Sequence, residues 1–132
     1  MDRRSERRLY DRHAWLKVNP NYPSINAAAQ VNDADSVYSF YKKLIALRKD
    51  PVYKETIVYG ALEPVWEERH NLMAYYRRGE RTLLIVGNYQ KEAQEIQLPA
   101  NCQKVLLNNY REPVEDGPTI RLQGYQVLVL EM

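Results

Sequence analysis

Residues 82–88 read Thr82-Leu83-Leu84-Ile85-Val86-Gly87-Asn88. From Leu83 to Val86 the run is apolar on both faces, so as a strand it has no wet side and belongs in the middle of a sheet. Val105 to Leu107 and Val127 to Leu130 have the same character and are predicted to be central too. Further β-rich runs lie at residues 56–59, 62–66, 72–77, 95–98 and 119–122, making about eight short strands in all. Gly60, Arg69-His70-Asn71, Gly79-Glu80, Pro99-Ala100-Asn101, Asp116-Gly117-Pro118 and Gln123-Gly124 punctuate them. That spacing, about eight to twelve residues with no long crossover, predicts a mainly β fold: an antiparallel β-sandwich with 56–59 and 119–122 at its edges.

Ahead of the strands the period changes from two to 3.6. Val37, Phe40, Tyr41, Leu44, Ile45 and Arg48 fall on one helical face. Asp33 or Asp35 is placed to cap the helix start, Lys42, Lys43, Arg48 and Lys49 suit its C-terminal dipole, and Pro51 ends it. The large side chains of that face are worth ~1.5–3 kcal/mol each when buried, on the order of ten together. A domain's whole net stability is about 5–15 kcal/mol. The face Val37, Phe40, Tyr41, Leu44 and Ile45 must therefore pack on the β region, on a partner, or on a second copy of the chain as a homodimer. Between Trp15 and Tyr22, Asn19-Pro20-Asn21 reads as an ordered loop. The expected organisation is a charged, disordered leader (1–14), a loop and helix (15–51) and a β-domain (52–132).

A chain of 132 residues, 45% hydrophobic, has room for one domain and not for a barrel enzyme. Its formal charge of +2 gives no footprint for nucleic acid, and the arginines of residues 1–14 are diluted by Asp2, Glu6 and Asp11. No apolar stretch nears the ~20 residues of a membrane helix, and no signal-peptide core follows the N-terminal arginines. The single cysteine, Cys102, forms no internal disulfide and suits a reducing cytoplasm.

Candidate chemistry is sparse. The acidic pairs Glu67-Glu68 and Glu115-Asp116 fall in predicted turns, where adjacent carboxylates point apart. His13 and His70 are distant in sequence, Cys102 has no CxxC partner, and no metal-ligand spacing, Gly-rich phosphate loop or cofactor motif occurs. One constellation remains: Trp66, Tyr75, Tyr76, Tyr89, Tyr110 and Tyr125 offer ring faces on which sugars stack, though strands favour aromatics for packing alone.

Trp15-Leu16-Lys17-Val18-Asn19-Pro20-Asn21-Tyr22, Ile25-Asn26, Asp35-Ser36-Val37-Tyr38 and Tyr41-Lys42-Lys43-Leu44-Ile45-Ala46-Leu47-Arg48-Lys49 together resemble the C-terminal end of oligo-1,6-glucosidases. Dextran glucosidases and trehalose-6-phosphate hydrolases are close relatives within the α-amylase superfamily. The resemblance continues through Tyr59-Gly60, residues 84–89, Asn108-Asn109-Tyr110 and Leu122-Gln123-Gly124-Tyr125. It implies a (β/α)8 catalytic barrel followed by an antiparallel β-domain, with 15–26 as the loop after the last barrel strand, 37–49 as the last barrel helix and 52 onward as the β-domain. On that architecture Trp15 and Tyr22 border the entrance of the active site, and Trp66 is a further candidate sugar contact. The family's Asp nucleophile, Glu acid/base and stabilising Asp belong to barrel strands upstream, and no motif for them occurs here. The resemblance thus implies a noncatalytic domain that stabilises the barrel of a retaining α-glucosidase acting on α-1,6-linked glucosides or trehalose 6-phosphate. The alternative is a carbohydrate-binding or protein-interaction module acting without a barrel of its own. Relatives often read Gly-Thr-Pro before the tryptophan; Arg12-His13-Ala14 stands here, and the resemblance is expected to stop at that point.

Overall fold

The computed structural model describes residues 19–112, 114 and 117–132. The expected leader 1–14 lies outside the described residues. The chain divides after Phe40 into two compact units.

In the first unit, the amide of Tyr22 donates to the carbonyl of Asn19 at 3.1 Å, closing the expected turn around Pro20. Asn26 then caps a short helix that periodicity did not announce, α1 (Ala27–Gln30), by accepting from the Ala29 amide at 2.9 Å. Helix α2 spans Val37–Lys49, as its spacing predicts. Its cap is Ser36, not Asp33 or Asp35: the buried Ser36 hydroxyl accepts from the Ser39 amide at 3.2 Å. Asp33 sits too far upstream and accepts from the Asp35 amide instead. No residue of α2 is buried. Val37, Tyr38, Tyr41, Leu44 and Ile45 are exposed and Phe40 is half-buried.

The second unit takes in α2 from Tyr41 onward, then α3 (Lys54–Tyr59) and seven strands: β1 (Ala61–Pro64), β2 (Leu72–Arg78), β3 (Thr82–Asn88), β4 (Gln94–Gln97), β5 (Lys104–Asn108), β6 (Thr119–Leu122) and β7 (Val127–Glu131). Five form an antiparallel sheet in the order β1-β2-β3-β7-β5, and β4 pairs with β6 as a separate ribbon. The strand period of two explains the packing. Leu72, Ala74 and Tyr76 of β2, Leu84 and Val86 of β3, and Leu128 and Leu130 of β7 share one face and meet Ile96, Leu98, Ile120 and Leu122 from the ribbon side.

Two expectations about the strands fail. Residues 56–59 form part of helix α3, not an edge strand. Their β-branched side chains favour a strand, but Tyr53, Thr56 and Ile57 lie at helical spacing and bring one face onto the sheet, while the Asp50 carbonyl accepts from the amides of Tyr53 and Lys54. β5 is an edge strand, not a central one: it carries a bulge between Val105 and Leu107, and Val105 is exposed. β3 and β7 are interior, as their two apolar faces require.

Candidate functional site

A polar cluster joins α3 to the sheet face opposite the core. Tyr53, buried, donates its hydroxyl to Glu131 Oε2 at 2.9 Å. The other Glu131 oxygen accepts from the Arg81 guanidinium, which also lies over the Tyr53 ring at 5.5 Å. The Arg81 amide donates to the buried Thr56 hydroxyl at 3.2 Å. Arg77, on β2, donates to the carbonyls of Ile57 and Val58 at 2.9 and 3.1 Å, satisfying the C-terminal end of α3 with positive charge. Strands β2 and β7 and the turn ahead of β3 thus all fasten one helical turn.

This joint has a pH signature. Burial pushes the Glu131 carboxyl up, but the hydrogen bonds from Tyr53 and Arg81 outweigh it and hold the group below its ordinary value. Hydrogen bonding to Glu131, then burial, raises the Tyr53 phenol above its own ordinary value. A carboxyl lowered on folding contributes stability above its unfolded pKa that is lost as pH falls through the folded one. A phenol raised on folding contributes stability below its unfolded pKa that is lost as pH rises through the folded one. Glu131→Gln is therefore expected to flatten the loss of thermal midpoint below about pH 4.5, and Tyr53→Phe the loss above about pH 10, in unfolding scans across pH.

The sequence candidates separate in space. Trp15 and the pair Glu115-Asp116 lie outside the described residues. Tyr22 is exposed in its turn. Trp66 follows β1 with a positive φ of 55° and packs against the core. Tyr76 is buried in that core, and Tyr75 lies half-buried on the opposite face. Tyr89, Tyr110 and Tyr125 stay exposed, Tyr89 donating its hydroxyl to Met73 Sδ at 3.1 Å. Glu67, Glu68 and His70 are exposed, and no cluster of metal-ligating side chains occurs among the described residues. A cleft of about 370 Å³ brings Cys102 beside Val105, Val114, Pro118 and Ile120, and no acid–base pair lines it among the described residues. Sequence reasoning missed Tyr53, Thr56, Arg77, Arg81 and Glu131. Glu131, a carboxylate ending an apolar strand, was the one available signal.

Among known families, the α-amylase catalytic-domain model matches residues 5–60, and the C-terminal-domain model of the α-amylase SusG matches residues 72–129. The oligo-1,6-glucosidase of Bacillus cereus is 35% identical over 125 residues, covering 89% of this chain and 22% of that protein. This chain belongs to the α-amylase superfamily of glycoside hydrolases, and it matches the C-terminal part of such enzymes. Two solved structures carry the same likeness. The trehalose-6-phosphate hydrolase of Bacillus licheniformis is 33% identical with a TM-score of 0.76, over 89% of this chain and 22% of its own. The isomaltulose synthase of Klebsiella sp. LX3 is 29% identical with a TM-score of 0.81, over 89% and 21%. The chain thus spans about a fifth of the length of the relatives it matches.

The catalytic-domain match corrects one expectation, since it begins at residue 5 and so runs upstream of Trp15, where the resemblance was expected to stop. At its other end it reaches residue 60 and includes α3. The catalytic-domain match therefore ends on a helix that is hydrogen-bonded to the β-sheet side of the chain. No helix among the described residues is long and apolar enough to cross a membrane.

Proposed function

We propose that this chain acts as the noncatalytic C-terminal region of an α-glucosidase, with its β-domain holding the last helical segment of the catalytic barrel and stabilising it. One observation carries this reading: α3 lies within the catalytic-domain match yet is fastened to the β-sheet through Tyr53, Thr56 and Arg77. Just ahead of it, α2 presents Val37, Tyr41, Leu44 and Ile45 to solvent, a face suited to the remainder of a barrel. Where no barrel is joined to the chain, a second copy would cover that face.

The parent activity, by likeness to relatives named for it, is retaining hydrolysis of α-1,6-linked glucosides or of trehalose 6-phosphate, in the reducing cytoplasm that a single cysteine suits. Retention needs two carboxyl groups ~5–5.5 Å apart across a sugar pocket. The exposed neighbours Glu67 and Glu68 offer no such pocket. The chain alone is expected to release no glucose from isomaltose and no nitrophenol from p-nitrophenyl α-glucoside above a buffer blank. Release that persists through purification and rises with enzyme concentration would contradict the noncatalytic reading.

A further inference from the structure

Helix α2 carries four basic residues, Lys42, Lys43, Arg48 and Lys49, and no acidic one. Their positions on the helix differ. At about 100° per residue, Tyr41, Leu44 and Ile45 occupy one arc, and Arg48 falls between Leu44 and Ile45 near the middle of it. The three lysines fall outside that arc. Tyr41, Leu44, Ile45 and Arg48 are all exposed. A guanidinium therefore sits one turn beyond two aliphatic side chains, inside the face that a partner has to cover.

A basic residue in the last turn complements the helix dipole, but Lys49 does this already from outside the arc. The dipole accounts for the charge and not for its place on the apolar side. Arginines of the β-sheet are engaged within the chain or its turns: Arg77 by the carbonyls of Ile57 and Val58, Arg78 by Glu63, and Arg81, just ahead of β3, by Glu131. No ion pair of Arg48 occurs among the described residues. Covering an apolar face that holds an unpaired charge costs the hydration of that charge. A guanidinium recovers the loss best against a carboxylate, whose two oxygens meet its planar fork.

The identity of the cover follows from length and charge. Helix α2 lies within the catalytic-domain match, and the chain covers 22% of the Bacillus cereus enzyme, so most of such a domain lies outside these 132 residues. A second copy laying its own α2 on this face brings four more cations and no carboxylate from that helix. Charge complementarity therefore favours the rest of the catalytic domain. We propose that Arg48 is the polar anchor of the α2 face, and that the remainder of the catalytic domain meets it with an Asp or Glu carboxylate set in an apolar surface. The proposal rests on the barrel-supporting reading and adds the chemistry of the contact.

The test compares the 132-residue chain alone with a hybrid in which it replaces the matched C-terminal portion of Bacillus cereus oligo-1,6-glucosidase. Arg48→Leu strands the carboxylate in the hybrid and is expected to lower its thermal midpoint by at least ~4 °C, with Arg48→Lys losing less. In the chain alone, where Arg48 is exposed, the same substitution should stay within ~2 °C of the parent. Lys42→Leu, off the arc, should change neither protein. An unchanged or higher midpoint for the Arg48→Leu hybrid would mean that the guanidinium reaches water without a carboxylate, and overturns the proposal while leaving barrel support standing. Equal losses in hybrid and chain would assign Arg48 to the helix itself, and a dimer of the chain that Arg48→Leu dissociates would assign the face to a second copy; either result overturns it. A hybrid with the unsubstituted chain that is no more stable than the shortened enzyme overturns the barrel-supporting reading and this one together.

Discussion

Leu84→Ala is expected to lower the stability of the β-domain by about 2–5 kcal/mol, a large share of the roughly 5–15 kcal/mol typical of a domain. Leu84 is fully buried at the centre of the sheet, paired with Tyr76 on one side and Leu130 on the other. Removing its branched end strips contacts from three strands, and the surrounding β-structure cannot collapse to refill the space without breaking registry. Chemical denaturation should move the midpoint without changing the slope, and the thermal midpoint should fall by ~10–25 °C. Ile85→Ala makes a useful contrast, since Ile85 on the other face is only half-buried and should cost less.

Gly60→Ala is expected to cost about 1–3 kcal/mol or more, through the backbone and not through lost contacts. A Cβ at Gly60 would lie 2.4 Å from the Thr56 carbonyl oxygen and 2.8 Å from that of Arg78. Neither oxygen can rotate away, so relief requires the end of α3 to lift from β2. That movement would strain the Arg77 bonds to Ile57 and Val58 and the Thr56 bond to Arg81. Amide exchange in α3 should therefore rise well above that in β3. Gly87→Ala is the control, because a Cβ there meets Val127 Cγ2 at an ordinary 3.4 Å. Equal tolerance of both substitutions would mean that α3 is not clamped by this close approach.

Legibility of the sequence followed the range of the forces involved. Local periodicity and Pro51 revealed α2 but not its cap, and the doubly apolar runs identified β3 and β7 as interior. Residues 56–59 misled because intrinsic preference for a strand was overridden by docking of Tyr53 and Thr56 on a distant sheet. β5 misled because an apolar run says nothing of how many neighbours a strand finds. The joint itself could not be read: Tyr53 and Glu131 are 78 residues apart and Arg81 and Glu131 are 50 apart, so no spacing rule links them. The six candidate aromatics looked alike in sequence; only the three-dimensional structure separates Tyr76 and Trp66, which serve the core, from Tyr89, Tyr110 and Tyr125, which stay exposed.

Barrel support is tested most directly by a graft. The matched C-terminal portion of Bacillus cereus oligo-1,6-glucosidase is replaced by this chain, and the hybrid's thermal midpoint and isomaltose hydrolysis are compared with those of the same enzyme lacking that portion. The hybrid is expected to regain both, and Leu44→Glu on the exposed face of α2 to remove the gain. A hybrid as unstable and inactive as the shortened enzyme would contradict a barrel-stabilising role.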